Sequence, residues 1–335
     1  MNTQMSAEKK PRVCVAIISY NSTATLARCL TSLDAQTYTD FSIVLIDNAS
    51  DQKPTGFLSG LSAPISYMEM DENLGFAPAM NVALKATESE FLVALNPDAF
   101  PKPDWLSELV ASADQYQDFA AFGSLQISAA DSTVIDGFGD NLLAWGPAWR
   151  GQTPPQDSDT ADLYECFGVC AAAALYRADT LRQINGFDDR FFCFYEDIDV
   201  SFRLRLTGHK CGIVKTAVVD HVGGVSFEGK SDFAQYLMAR NQWWVLIKNM
   251  PAALLVLILP CFTVMQFYSF IKNPRSARMQ GLREGLGRTT EILKSRRDVQ
   301  STRTLTVSAL SHMLNWSFGD FKDKVSRATR VDRSN

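Results

Sequence analysis

Apolar residues in this chain switch repeatedly between continuous runs and spacings of three or four. Val13 to Ser19 (VCVAIIS) is an unbroken β-rich run, while Ser22 to Ala35 carries Leu26, Leu30 and Leu33 at helical spacing. Ser42 to Ile46 is a second buried strand, and it ends at Asp47-Asn48-Ala49-Ser50, whose residue types favour a turn. Ile65 to Met70 reads as a third strand, Phe76 to Ala86 as a second helix, and Phe91 to Leu95 as a fourth strand ending at Asn96-Pro97-Asp98. Strands and helices alternating over short links predict a parallel, doubly wound sheet. In such sheets ligands bind outside the carboxyl ends of the strands, where the polar clusters at 19–21, 47–50 and 96–98 all fall.

The middle of the chain is less regular. Asp104 to Gln115 predicts a helix, Ala120 to Ile127 a strand, and Gly151 to Thr160 a polar, proline-containing loop. After Gly168 the run VCAAAALY reads as a strand packed closely through its small residues. Ala178 to Ile184 is a short helix broken by Gly186, and Glu196 to Leu206 is a helix with acids at its start and bases further along, as the macrodipole favours.

From Ser231 the character changes. Residues 233–249 look helical, and Pro251 to Phe270 is a 20-residue stretch without a charged side chain. Its length permits a bilayer span, an in-plane or re-entrant membrane helix, or a buried soluble helix. The next segment, RSARMQGLREGLGRTTEILKSRR, mixes Arg with Leu and Met as an interfacial amphipathic helix does.

Charge sharpens that picture. The net charge is −5, but from Lys272 onward 14 Lys and Arg stand against 6 Asp and Glu, a net of +8 that leaves −13 upstream. A basic tail of this kind suits a phospholipid leaflet or a polyprenyl phosphate, or else a solvated helical face. With 335 residues and 46% apolar composition, the chain buries a substantial core. Seven scattered cysteines without a C-x-x-C pair fit a reducing compartment and argue against zinc. The polar opening MNTQMSAEKKPR resembles neither a signal nor a transit peptide, so a cytoplasmic location is expected.

Three places could carry chemistry. Asp98 follows a strand and a proline, a position from which one carboxylate could hold Mg²⁺ or Mn²⁺ against a diphosphate, although a turn explains the tripeptide alone. Glu196, Asp197 and Asp199 lie close behind Phe191, Phe192, Phe194 and Tyr195, where crowding beside apolar rings should oppose ionisation and tune one acid toward general-base work. On a helix Glu196 and Asp199 share a face and Asp197 points elsewhere; ordinary acids at a helix start are the simpler alternative. His221 ends an apolar strand before Gly223-Gly224, as a structural residue or as a ligand suited to manganese.

Taken in order, SYN (19–21), IDNAS (46–50), NLGFAPAMN (73–81) and GFDDRFFCFYEDIDVSFRLRLTG (186–208) followed by His221 resemble the family 2 inverting glycosyltransferases, particularly their bacterial rhamnosyltransferase-like branch. The resemblance runs from about Val13 to Ser226. It implies a GT-A fold: a Rossmann-like, doubly wound, mostly parallel α/β sheet over residues 12–230, here after a disordered leader at 1–11 and before a helical, basic, membrane-associating region at 231–335. It also implies that Ser19, Tyr20, Asn21, Asp47, Asn48, Gly75, Asn81, Asn96 and Glu196 serve the nucleotide sugar. Asp47 would accept a hydrogen bond from the pyrimidine N–H, and Gly75 would let backbone approach the nucleotide. Asn96-Pro97-Asp98 stands where the family has D-x-D, so the metal would rest on Asp98 and His221, with Asp197 as the base.

The function implied is inverting transfer of a sugar from a nucleotide diphosphate, with dTDP-rhamnose a candidate donor, to a saccharide that is lipid-linked. The place implied is the inner face of the cell membrane, reached through 251–300, with no nucleic-acid partner. One rival is a non-catalytic sugar-binding module of the same fold, which Asn96 favours. A processive polymerase would need several spans, and an unrelated nucleotide enzyme would need a glycine-rich phosphate loop after a strand; the sequence has neither.

Overall fold

The computed structural model describes residues 10–155, 161–223 and 231–331. Most of the expected leader at 1–11, the end of the polar loop at 156–160, and Gly224 to Ser226 lie outside the described residues.

The N-terminal half follows the hydrophobic pattern closely. It comprises β1 (Val13–Ser19), α1 (Thr23–Asp34), β2 (Phe41–Asp47), β3 (Ile65–Glu69), α2 (Phe76–Ala86) and β4 (Phe91–Leu95). Here the strands run parallel in the order β3-β2-β1-β4. Every residue of β1 and β4 is buried, as expected for parallel strands covered on both faces. Leu26, Leu30 and Leu33 of α1 cover one face, and Ala79, Met80 and Ala83 of α2 belong to the core on the other.

Past β4 the sheet becomes mixed. The elements are β5 (Ala99–Pro101), α3 (Trp105–Gln115), β6 (Phe119–Ser128), β7 (Ile135–Gly137), β8 (Asp140–Leu142), β9 (Ala148–Arg150), β10 (Leu163–Cys166), β11 (Ala173–Arg177), α4 (Ala178–Gln183), α5 (Glu196–Leu206) and β12 (Lys210–His221). β11 lies antiparallel between β4 and β6, β12 runs parallel to β6, and β10 is antiparallel to β12. The strand expected after Gly168 begins only at Ala173, and residues 169–172 form a buried loop against the end of β4. Strands β7 to β10 span three or four residues each, too few to show a period of two in the sequence.

The C-terminal region contains α6 (Asp232–Asn249), α7 (Ala252–Lys272), α8 (Ala277–Gly287), α9 (Thr289–Ser301), α10 (Val307–Met313), α11 (Phe318–Lys322) and β13 (Thr329–Arg330), which pairs with β10. α8 lies close on α6 because Gly281 has no side chain: a Cβ there would meet the Tyr236 carbonyl oxygen at 2.0 Å. Met279, Leu282 and Ile292 are buried in the same core as Trp244 and Leu246 of α6. The segment expected to be an interfacial amphipathic helix therefore buries part of its apolar side inside the protein and leaves Leu286 and Leu293 exposed. α7 alone among the described residues is long and apolar enough to cross a membrane, and it runs unbroken through Pro260.

Candidate active site at the sheet edge

The carboxyl ends of β1, β2 and β4 are neighbours, so the three polar clusters meet at one edge of the sheet. Asp47 is fully buried; its carboxylate accepts from the Ser50 backbone N–H at 3.1 Å and from the Tyr67 hydroxyl at 3.0 Å. The Asn48 amide donates to the Gly75 carbonyl at 3.0 Å and accepts from the Leu74 N–H at 2.9 Å, tying β2 to the loop before α2. Ser19 is held by Ser22, hydroxyl to hydroxyl at 2.7 Å. The Asn21 side chain exchanges hydrogen bonds with Asp51, at 2.9 and 3.1 Å, while Tyr20 is 48% exposed at the rim.

Two residues of the expected binding set have work within the protein. Gly75 adopts φ +85°, and a Cβ on it would sit 2.5 Å from the Phe192 ring, so close approach of Phe192 already requires glycine there. Asn81 holds the turn before α5, donating to the Phe187 carbonyl and the Asp189 carboxylate, both at 2.6 Å.

Asp98 and His221 come together although 123 positions separate them: β12 ends beside β5, and His221 Nε2 lies 3.6 Å from Asp98 Oδ1. Asp136 takes the other ring nitrogen, Nδ1, at 2.8 Å, which aims Nε2 at Asp98. Burial pushes the His221 pKa down, but the hydrogen bonds to Asp136 and Asp98 outweigh it and leave the net shift upward. Burial likewise raises Asp136, and its bonds to His221 and Arg150 bring it below the usual carboxylate range. One oxygen and one nitrogen at this spacing, with an acid orienting the imidazole, fit a small divalent ion, whose neighbouring ligands lie about 3 Å apart.

Arg150, at the end of β9, leads from this pair to the next group. Its guanidinium donates to Asp136 at 2.8 Å, to the Gln126 side chain at 2.9 Å and to Cys170 Sγ at 2.8 Å. Asp140, Cys170 and Asp197 each place a ligand-type atom within 4.8 Å of the others. This trio fits a metal less well than Asp98 and His221 do. Arg150 already puts a cation on the sulfur, and burial drives the Cys170 pKa up, so the thiol keeps its proton.

Asp197 opens α5 and accepts from the Ile198 N–H at 2.8 Å and the Ala171 N–H at 3.3 Å. Burial raises its pKa against the pull of those donors and of Arg150. Asp140 is raised too, by burial and then by the charge of Asp197, so the two neighbouring acids oppose each other's ionisation. Glu196 is also raised, by burial and then by Asp197, and its Oε2 is buried without a partner. The backbone before them is strained: Phe192, Phe194 and Tyr195 have φ of 64°, 67° and 67°. Asn241 of α6 holds it there, donating to the carbonyls of Phe191, Cys193 and Phe194 at 3.0, 2.9 and 2.7 Å.

The loop at 170–172 joins the two halves of this site. Its Ala172 carbonyl accepts from the Asn96 N–H at 2.8 Å, beside Asp98, and its Ala171 N–H reaches Asp197. The model of the family described as "Glycosyl transferase family 2" matches residues 14–184. The chain belongs to glycosyl transferase family 2. An uncharacterized glycosyltransferase of Haemophilus influenzae is 26% identical over 161 residues, 47% of this chain and 49% of that one. The N-acetylglucosaminyl-diphospho-decaprenol L-rhamnosyltransferase of Mycobacterium tuberculosis is 25% identical over 234 residues, covering 62% of this chain and 75% of that one. The crystal structure of GalNAc-T7 with UDP, GalNAc and Mn²⁺ superposes with a TM-score of 0.65 at 15% identity, over 87% of this chain and 55% of that one, and shows that the two share a fold, GT-A. The chain spans half or less of the length of the first curated relatives it matches.

In this family 2 glycosyltransferase a cleft of about 1000 Å³ lies elsewhere, lined by Asn81, Arg182, Asp188, Arg190 and Lys248 among others, and none of Asp98, Asp197 and His221 lines it. Asp136, Asp140, Arg150, Cys170 and Asn241 escaped the sequence reading. The first four sit in or beside strands of three residues or in a loop, where no periodicity marks them, and Asn241 lies inside an ordinary helix.

Proposed function

We propose that this glycosyltransferase catalyses inverting transfer of a sugar from a nucleotide diphosphate to a saccharide hydroxyl. The observation that supports it most is the pairing, across the 170–172 loop, of a metal-suited Asp98–His221 pair with a buried, base-like Asp197. Ser19, Tyr20, Asn21, Asp47 and Asn48 would receive the base and ribose, with Asn96 and Glu196 nearer the sugar and Gly75 and Asn81 keeping the surrounding loops in place. Asp98 and His221 would hold Mg²⁺ or Mn²⁺, which when bound offsets the charge of the departing diphosphate. Asp197 takes the proton from the acceptor hydroxyl, and that hydroxyl attacks C1 from the face opposite the leaving group.

A finer reading takes rhamnose, from dTDP-rhamnose, as the sugar and a lipid-linked saccharide as the acceptor, at the cytoplasmic face of a membrane. The Mycobacterium tuberculosis relative, named for both rhamnose and a decaprenol diphosphate, supports it. Residues 12–230 would form the transferase domain and 231–335 its helical extension.

Incubating the full chain with a panel of sugar nucleotides and a saccharide acceptor tests the proposal. Release of nucleoside diphosphate with product of inverted anomeric configuration is expected. Asp197→Asn should lower turnover by roughly 10²-fold or more while nucleotide binding persists, and chelation with EDTA should abolish transfer. Transfer that is undiminished in the variant removes the base assignment, and full activity in EDTA removes the metal.

A further inference from the structure

We infer that α7 lies in the plane of an anionic bilayer with its outward face immersed, holding the enzyme on one leaflet without crossing it. The helix has two unlike sides. Leu254, Ile258, Phe262 and Gln266, spaced by four, form its buried row. Phe262 stacks on Trp243 of α6 with ring centroids 5.4 Å apart, and Gln266 accepts from Arg278 at 3.4 Å. A helix pinned along its length cannot be encircled by lipid, as a lone span must be.

The other side is apolar and open: Val256, Leu257, Val264, Phe267, Tyr268 and Ile271 are each 60% exposed or more, and only 22% of the apolar stretch is buried. A continuous apolar face of this size on a soluble surface marks an interaction site. Charge selects the partner. Between Pro251 and Arg283 there is no acidic residue, while Lys272, Arg275 and Arg283 are exposed where α7 ends and α8 begins. Lys272 Nζ sits 4.6 Å from the Tyr268 ring and the Arg283 guanidinium 6.0 Å from the Phe270 ring, so cations edge the aromatic end of the apolar face. Aromatic rings beside basic groups at the edge of an apolar face match the boundary between acyl chains and anionic headgroups. In the basic α8 and α9, Met279, Leu282 and Ile292 are buried in the core and only Leu286 and Leu293 are exposed, so α7 carries most of the open apolar surface.

The inference rests on the membrane-side reading above for its purpose, and vesicle binding and sugar transfer are scored separately. The purified full chain is sedimented with phosphatidylcholine vesicles with and without phosphatidylglycerol, at low and high salt. Cys261, exposed at the middle of α7, is labelled with a water-soluble maleimide. Expected are binding that strengthens with phosphatidylglycerol and weakens with salt, and a Cys261 that labels in solution but is shielded on vesicles. Val264→Glu with Phe267→Glu, or Lys272→Glu with Arg275→Glu, should each weaken binding by about tenfold or more. Both pairs should leave the melting temperature and transfer to a soluble acceptor unchanged.

With Cys261 replaced by Ser, a thiol introduced by Asn273→Cys, beyond the end of α7, should label from outside the vesicle. Protection of that thiol until the vesicles are lysed would mean a span and would overturn the inference. So would a Cys261 shielded without vesicles in a chain that scatters light as a dimer, since a second copy would then cover α7. Absent vesicle binding with intact transfer sinks this inference and spares the enzyme; vesicle binding without transfer does the reverse.

Discussion

Asp197 and Asp199 are two residues apart on α5, yet they live in opposite electrostatic surroundings. Around Asp199, Arg203, Lys248 and Asn249 all reach the carboxylate, at 2.7, 2.9 and 2.8 Å, and Asp188 and Arg190 extend the network through Lys248. Burial would raise Asp199, but Arg203 and Lys248 overcome it and hold the pKa below the ordinary value. Around Asp197, two acids crowd the site, the donors are two backbone N–H groups, the pull of Arg150 does not offset burial, and the net shift is upward. Burial alone therefore says little about an acid's role; what counts is whether the fold supplies a matching cation. The compensated acid ties α5 to α6, and the uncompensated one is left able to accept a proton.

The sharpest way to break this comparison is Asp199→Ala. It strands Arg203 in the interior and leaves Lys248 with Asp188 alone, and a loss of about 3–5 kcal/mol in chemical unfolding is expected; a loss no greater than that of a surface substitution would show the network to be inert. Asp197→Asn should do the opposite, costing turnover as described while leaving the midpoint of unfolding unchanged or higher, because it removes a buried charge that lacks a full partner.

Next in size is the pH dependence. Asp188 and Asp199 have lowered folded pKa values, so their stabilisation is present above the unfolded carboxylate value of about 4 and is lost as the pH falls through the folded values. Asp140, Glu196 and Asp197 are raised, so the stability of their neutral forms is present below that value and is lost as the pH rises through the folded ones. Thermal melts of Glu196→Gln across pH should show the alkaline decline flattened and the acid decline unchanged. Turnover should fall on the acid side at a higher pH than an ordinary carboxylate would dictate, as Asp197 takes up its proton. The smallest effect is expected for Asp140→Asn, within a few-fold of full turnover, because burial and the charge of Asp197 favour the neutral form of the carboxyl it replaces; a loss matching that of Asp197→Asn would make Asp140 the base.

Much of this was legible in advance, and the reasons differ by region. The parallel half was readable because β1 and β4 are unbroken apolar runs and α1 repeats Leu every three or four residues. Asp98, Asp197 and His221 stood out because each lies at or beside the end of an element. Asp136 and Arg150 carried no such mark, since their meaning lies in His221 Nδ1 and in the sulfur of Cys170, each reached across many residues. For the segment at 275–297 the composition suited a free surface helix, and packing on α6 through Gly281 and Leu282 gave part of its apolar side another use.

Local order thus came from the chain itself: period, turn chemistry and the placement of acids at element ends depend on neighbours a few residues away. The division of labour among those acids did not. Lys248 and Asn249 arrive from about fifty positions downstream, and a carboxyl group's proton affinity is set by whatever charge lies within a few ångströms, whichever part of the chain brings it there.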